Sequence, residues 1–310
     1  MTKQKIAITI RSINTNSPSF QLLREYFDIS YINTTGKRLS EPEVIDALHG
    51  ADVAIAGTES YSKNVIQSSL NLKAISRVGV GLDSIDLECA SEHNIKVYNT
   101  PNAPTVAVAE HTVALLLDVC KNIVYYNKNS DALAGKAIAG ILLNGKKVGV
   151  IGLGRIGFKV AIYLCALGCN IGFYDPYLQG KVIPKEWVRY STIGELLEAS
   201  DIVTLHMPPA SDGKPIINVD TVKKFKRGAV IINTARSALI DEKVLLDAVS
   251  DGTIMGAGLD VYDTLIENES KKYPQIVLTP HVASNTEESR RDMESEAIEN
   301  LIAGFQNGYR

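Results

Sequence analysis

Two residues of this sequence pair the chemistry of carbonyl reduction with positions at the ends of predicted strands. Arg236 closes Ile232-Asn233-Thr234-Ala235-Arg236 directly after the apolar run Val230 to Ile232. It therefore leaves the carboxyl end of a strand, where ligands of open α/β sheets bind. A guanidinium also grips a carboxylate in a bidentate way. His281, in Leu278-Thr279-Pro280-His281, occupies the same kind of position after the last predicted strand. Imidazole is the side chain whose proton affinity suits acid/base exchange near neutrality. A cation that holds a carboxylate and polarises a carbonyl, with a proton donor for the oxygen that becomes an alkoxide, is what hydride transfer to a 2-oxo acid requires. The other histidines fit less well. His49 and His93 close surface-like helices, and His111 sits in an apolar helix, where a satisfied core or interface role is expected. His206 precedes Met207-Pro208-Pro209 after a strand, which places it in a loop expected beside an adenosine.

The hydride carrier has its own signal. Gly152-Leu153-Gly154-Arg155-Ile156-Gly157 follows the strand Val148 to Ile151 and opens a helix, Phe158 to Leu167. That context turns a weak glycine pattern into a specific one. Gly152 permits the tight turn, Gly154 lets the backbone approach a pyrophosphate, and Gly157 lets helix and strand pack closely. The helix N-terminus supplies amides and a positive dipole to the phosphates. Asp175, at the end of the next strand, is spaced to accept hydrogen bonds from adenosine ribose hydroxyls and would repel a 2′-phosphate, so NAD is favoured over NADP. In the N-terminal part, Ser76-Arg77-Val78-Gly79-Val80-Gly81-Leu82-Asp83 breaks from strand into a glycine turn suited to cradling a small anion. A plain turn fits that stretch equally well.

The elements that must position these residues alternate regularly. Ile6 to Ile10, Val53 to Ala56, Ala74 to Val78 and Lys96 to Tyr98 read as strands, with helical patterns such as Glu41 to Leu48 and Ile85 to Glu92 between them. A long helix is predicted over Pro104 to Tyr125, followed by a Gly/Ala-rich stretch, Asp131 to Gly140. From Lys147 a second series follows, with strands at Val148 to Ile151, Asn170 to Tyr174, Ile202 to Leu205, Ala229 to Ile232, Thr253 to Gly258 and Ile276 to Leu278. Glu287 to Phe305 is predicted as a helix with Met293, Ala297, Leu301 and Phe305 on one stripe, folding back onto the first domain. The expected architecture is α/β: two Rossmann-like domains, doubly wound parallel sheets with a cleft between them. Residues 1–99 with 284–310 form a flavodoxin-like substrate domain, and 100–283 a Rossmann domain for NAD.

Composition narrows the class. The 310 residues are 45% hydrophobic and 22% charged with a net charge of −3, an ordinary globular balance with no bulk pull toward nucleic acid. The apolar run Ile6 to Ile10 is too brief for a signal-peptide core, and the most apolar helix, broken by Glu110, His111 and Asp118, falls short of a membrane span. A cytoplasmic protein with no membrane partner is expected. Cys89, Cys120, Cys165 and Cys169 lack the paired spacing of a zinc site, so reduced core thiols and no metal are expected.

Taken together these residues resemble the D-isomer-specific 2-hydroxyacid dehydrogenase family, in particular its phosphoglycerate-dehydrogenase-like branch, over nearly the whole chain. The resemblance rests on Arg77 to Asp86, Asn99-Thr100-Pro101 with Val108-Ala109-Glu110, the glycine fingerprint with Asp175, Leu205 to Pro208, Asn233 to Arg236, Gly258 to Tyr262, and Thr279-Pro280-His281. It implies that Arg236 binds and polarises the substrate, that His281 is the acid/base, and that the amides of Val80 and Gly81 hold the carboxylate. For NAD it implies backbone contacts at Arg155 and Ile156, ribose binding by Asp175, contacts near Pro208, Thr234, Ala235 and Arg236, and Asp260 at the nicotinamide amide. It also implies a homodimer, with Pro104 to Tyr125 and Asp131 to Gly140 in contact.

Two departures matter. The family pairs its histidine with a glutamate at the position that is Leu265 here, so either a locally shifted loop delivers Glu267 or His281 has no carboxylate partner. The branch also sets an arginine soon after the strand Val53 to Ala56, whereas this chain reads Ala56-Gly57-Thr58-Glu59-Ser60. 3-Phosphoglycerate is therefore not assumed as substrate, and Ser60 and Asn102 are the residues expected to meet the rest of it. The rival reading is a cofactor-binding sensor or corepressor-like protein on the same fold, favoured by Leu265 alone; retention of both Arg236 and His281 favours the enzyme.

Overall fold

Helix starts are written locally in this chain. Ser17, Ser62, Asp86, Thr192, Asp241 and Thr286 each accept a hydrogen bond from the amide three residues on, capping the helices that follow them. The computed structural model describes residues 3–129, 138–178, 182–210 and 212–309. Its contacts divide the chain into two units, Met1–Pro104 with Asn285–Arg310, and Thr105–Ser284.

The first unit runs β1 (Gln4–Ile8), α1 (Pro18–Tyr26), β2 (Phe27–Ile32), α2 (Glu41–Ala47), β3 (Val53–Ala56), α3 (Lys63–Ser68), β4 (Ala74–Arg77), α4 (Leu87–Glu92) and β5 (Lys96–Tyr98). The five strands are parallel in the order β2-β1-β3-β4-β5. That is the flavodoxin-like order, with its topological switch between β1 and β3. Side chains alternate between two cores because successive strand residues point to opposite faces. Ile6, Ile8, Val53 and Ile55 pack with Phe20, Phe27 and with Ile298, Leu301 and Ile302 of the closing helix, Glu287–Gln306. Ala7, Ala54 and Ile75 face Val44, Leu48, Val65 and Ile66 on the other side. Each large buried aliphatic contributes about 1.5–3 kcal/mol, which holds the closing helix to this sheet.

The second unit contains α5 (Thr105–Lys121), α6 (Ile123–Lys128), β6 (Lys147–Ile151), α7 (Arg155–Ala166), β7 (Asn170–Tyr174), β8 (Val188–Arg189), α8 (Ile193–Ala199), β9 (Ile202–Leu205), β10 (Ala229–Asn233), α9 (Glu242–Ser250), β11 (Ile254–Leu259), α10 (Thr264–Glu269) and β12 (Ile276–Leu278). All seven strands are parallel, in the order β12-β11-β10-β9-β6-β7-β8. This is the doubly wound dinucleotide-binding order with one strand added, and its switch lies between β6 and β9. The chain is thus built of two parallel-sheet α/β units.

Several elements differ from the sequence expectation. The helix expected from Pro104 to Tyr125 is two helices, because Asn122 adopts a left-handed conformation (φ 55°) and the Asp118 carboxylate accepts the Val124 amide at 2.8 Å. The helix expected from Phe158 begins at Arg155, since Gly154 already serves as its N-cap. Helix α1, opened by the Ser17 cap and Pro18, and edge strands β2 and β8 lie outside the elements expected from the sequence: β2 follows α1 directly, and β8 has two residues. All four cysteines are free thiols, and burial first of all pushes Cys120 and Cys169 up to about 11. No helix among the described residues is long and apolar enough to cross a membrane.

Candidate active site

The glycine fingerprint makes a turn that only those residues permit. Gly152 has φ +90°, and a Cβ there would lie 2.6 Å from the His206 carbonyl oxygen. A Cβ on Gly157 would lie 2.0 Å from the Gly152 carbonyl oxygen, so helix α7 can approach β6 only with glycine at that position. Gly154 is different: a Cβ there would meet nothing within 4 Å. The packing of the protein itself places no demand on its side chain. As N-cap of α7 it also offers no side-chain acceptor to the first-turn amides, unlike the capped helices above. An uncapped helix N-terminus behind an open glycine fits an anion such as a pyrophosphate.

Asp175, one residue past β7, accepts hydrogen bonds from the Leu153 amide at 2.8 Å and the Tyr177 amide at 2.8 Å. Its carboxylate is thereby fixed beside the glycine turn. His206, one residue past β9, donates its amide to the Ile151 carbonyl at 2.8 Å, and its Nε2 lies 2.8 Å from Thr204 Oγ1. Burial pushes His206 down to about 3, so it is neutral near pH 7. The donor set and the open backbone fit a dinucleotide, and Gly154, Arg155, Ile156 and Asp175 are the residues that would hold it.

The next two loops are tied down by buried polar side chains. Asn233, fully buried at the end of β10, accepts the Ala235 amide at 3.0 Å and donates Nδ2 to the Arg236 carbonyl at 2.8 Å. Arg236 is half-buried, and its NH1 donates to the Ala235 carbonyl at 2.7 Å. Thr234 shares a hydrogen bond of 2.9 Å with Thr112 of α5.

Asp260, at the end of β11 and 1% exposed, gathers the loop that carries His281. Its Oδ1 accepts the Thr279 hydroxyl at 2.5 Å and the Val282 amide at 2.9 Å, and its Oδ2 accepts the Ala283 amide at 3.0 Å. The Thr279 hydroxyl spends its proton on Asp260, so it accepts from His111 Nε2 at 2.9 Å. That nitrogen is also 3.5 Å from Asp260 Oδ1. Burial raises the Asp260 carboxyl, but the bonds from His111, Thr279 and the two amides outweigh it and hold the group below its ordinary value. The His281 amide donates to the Asp260 and Thr279 carbonyls, both at 2.9 Å, and the residue is held at φ +54° with its side chain exposed.

The register places Asn233, Leu259 and Leu278 side by side on β10, β11 and β12. The Arg236 and His281 loops therefore leave the same sheet edge on either side of Asp260, two strand spacings or about 10 Å apart at their roots. Glu267 lies exposed on α10, and Leu265, at the family's glutamate position, is 43% exposed on the same helix. Pro208 is exposed in the loop after β9.

In the first unit, the Gly79 amide donates to Thr100 Oγ1 at 2.7 Å, and Asn99 Nδ2 donates to the Val80 carbonyl at 2.7 Å. No described residue accepts a hydrogen bond from the amide of Val80 or Gly81. Ser60 is partly exposed after β3, and Asn102 donates Nδ2 to Glu296 of the closing helix at 3.0 Å. Cys89, Glu92 and His93 bring ligand-type atoms within 4.8 Å of one another on α4. His93 Nδ1 there is 2.8 Å from the Cys89 carbonyl oxygen, which a helix end explains. Sequence reasoning set His111 aside as satisfied in a core, and so missed its bond to the histidine loop; only the Val108-Ala109-Glu110 motif beside it hinted at the site.

The second unit matches a family model described as D-isomer specific 2-hydroxyacid dehydrogenase, NAD binding domain, over residues 113–283. The chain belongs to this family. It is 34% identical over 279 residues to the hydroxypyruvate reductase of Thermotoga maritima, a match covering 87% of this chain and 90% of that one. It is 32% identical over 285 residues to the D-3-phosphoglycerate dehydrogenase of Bacillus subtilis, covering 90% of this chain and 54% of that one. The chain spans about half the length of the phosphoglycerate dehydrogenases it matches. Among solved structures, an acyclic imino acid reductase in complex with NADPH and D-Arg superposes with a TM-score of 0.87 at 29% identity, covering 98% of this chain and 97% of that one.

Proposed function

We propose that this chain is an NAD-dependent oxidoreductase that moves a hydride between nicotinamide and C2 of a small D-2-hydroxy acid or the matching 2-oxo acid. The observation that carries the reading is the single sheet edge on which the glycine turn, His206, Arg236, Asp260 and His281 follow, in that order, the neighbouring strands β6, β9, β10, β11 and β12. In reduction, Arg236 binds the substrate carboxylate and polarises the C2 carbonyl, and the imidazolium of His281 gives its proton to the carbonyl oxygen as C2 takes up the hydride. Oxidation reverses both transfers. When bound, the dinucleotide supplies the hydride donor or acceptor. Amides at the start of α7 hold its phosphates, and Asp175 meets the adenosine ribose and disfavours a 2′-phosphate.

The unbonded amides of Val80 and Gly81 hold the substrate carboxylate, with Ser60 and Asn102 toward the rest of the molecule. Residues 1–99 with 284–310 then serve the substrate, and 100–283 the cofactor. His206, Pro208, Thr234 and Ala235 would line the cofactor loops, and Asp260 would meet the nicotinamide amide. Glu267 is the carboxylate proposed to partner His281. A cytoplasmic homodimer is proposed on the family's pattern, through α5, α6 and the Asp131 to Gly140 stretch, of which 131–137 lie outside the described residues.

Reduction of a panel of 2-oxo acids followed by NADH absorbance tests the activity; tight NADH binding without turnover of any acid argues for the sensor reading instead. His281→Ala is expected to lower kcat by about 10²–10⁴-fold with NADH affinity unchanged. Retained turnover removes the assignment. An unchanged rate in Glu267→Gln removes Glu267 from the site.

A further inference from the structure

At the carboxyl end of β3 stands a carboxyl group that the mechanism above leaves unused. Glu59 is 1% exposed and sits where β1 and β3 run side by side, at the topological switch of the first unit. Switch points are where open α/β sheets take their ligands. Glu59 Oε1 accepts the Gly57 amide at 2.7 Å and the Thr9 hydroxyl at 2.5 Å. The buried Tyr61 hydroxyl is 2.8 Å from the same Thr9 oxygen. No described residue donates to Oε2, which lies 2.9 Å from where a Cβ on Gly57 would be, and no described cation pairs with the carboxylate.

A buried carboxylate without a counter-ion is costly to keep. Tying the Thr9 and Gly57 backbone ends together does not require it, because a glutamine carbonyl oxygen accepts the same two hydrogen bonds. The next strand end carries the proposed carboxylate cradle. The Val78 amide donates to the Ala56 carbonyl at 2.8 Å, joining the end of β3 to the turn that presents the Val80 and Gly81 amides. Ser60, beside Glu59 in sequence, is partly exposed at the same edge.

Resting on the dehydrogenase reading, we propose that Glu59 determines substrate class: its charge selects 2-oxo acids whose tail is neutral or carries an O–H or N–H donor, and rejects those with a phosphate or second carboxylate. Two like charges about 8 Å apart at an effective dielectric of about 20 repel by an amount worth roughly thirtyfold in affinity.

The test is NADH-coupled kinetics of the full chain and of Glu59→Gln with three acids: hydroxypyruvate, its 3-phosphate ester and oxaloacetate. Wild type is expected to favour hydroxypyruvate. In Glu59→Gln, KM for oxaloacetate should fall by roughly thirtyfold and KM for the phosphate ester, whose tail carries up to two charges, by more, while KM for hydroxypyruvate rises a few-fold as its O–H loses a charged acceptor. A wild type that prefers either acid with a charged tail overturns the inference and leaves the dehydrogenase reading intact, as does a variant that shifts all three acids in equal proportion. Absence of turnover with all three overturns the inference, and the wider 2-oxo acid panel then decides the dehydrogenase reading. Should Glu59→Gln not fold, the wild-type order of the three acids decides alone.

Discussion

Asp260→Asn is the substitution on which the organisation of this site is most exposed to measurement. The asparagine is nearly isosteric, so no cavity opens, and one carbonyl oxygen still accepts the Thr279 hydroxyl and the Val282 amide. The other position becomes an NH₂ that faces the Ala283 amide, whose hydrogen bond to Oδ2 is 3.0 Å long in the native protein. A donor then meets a donor. Leaving that buried amide unsatisfied costs about 1–3 kcal/mol, and loss of charge from the remaining bonds adds about 1 kcal/mol. The total of about 2–4 kcal/mol predicts a Tm lowered by roughly 5–15 °C for a unit of this size. His281 rides on the loop these bonds fix, so kcat for 2-oxo acid reduction should fall by about 10²-fold. NADH affinity, which the proposed reading sets at the glycine turn, should fall much less. Differential scanning fluorimetry and steady-state kinetics on the same preparation read both quantities. A variant with native Tm and a kcat within about threefold of wild type would refute the claim that Asp260 anchors the histidine loop.

Further expectations concern neighbouring residues. Gly154→Ala should leave Tm unchanged, because a Cβ there meets nothing within 4 Å, while NADH affinity measured by fluorescence titration falls. Gly157→Ala, with its Cβ 2.0 Å from a backbone oxygen, should instead cost about 1–3 kcal/mol of stability in a denaturant titration. His206 is neutral in the folded chain with a value of about 3 against 6.5 when unfolded, so the unfolded state binds the extra proton between those values. Stability should therefore decline on acidification below about pH 6.5, by up to about 1.4 kcal/mol per pH unit. His206→Gln should flatten that decline in pH-dependent melting curves, and an unchanged slope would count against a buried neutral imidazole. Leu265→Glu should move the limb of the kcat/KM profile assigned to His281 to higher pH, since a nearby carboxylate favours the imidazolium.

How much was legible beforehand follows from how far apart the determining residues lie. The Gly152 to Gly157 turn, the strand before it and the acid after it are local, and their spacing is enough to set a turn, a helix start and an anion site. Alternating and helical periodicities likewise marked most strands and the closing helix, whose Met293, Ala297 and Leu301 are buried. Edge elements were less visible. Strand β2, Phe27–Ile32, alternates apolar and polar residues but follows α1 without a break, so its pattern runs into that of the helix, and β8 is two residues long, too short for a hydrophobic period.

Sequence alone determined that this chain forms parallel α/β units with a dinucleotide turn, an arginine and a histidine at strand ends. Tertiary structure alone decided what holds them. The His111 to Thr279 bond joins residues 168 positions apart, and the Glu59 to Thr9 bond joins residues 50 apart. Such pairings depend on which strands become neighbours. Side-chain polarity at one position carries no record of the partner that the folded sheet brings beside it.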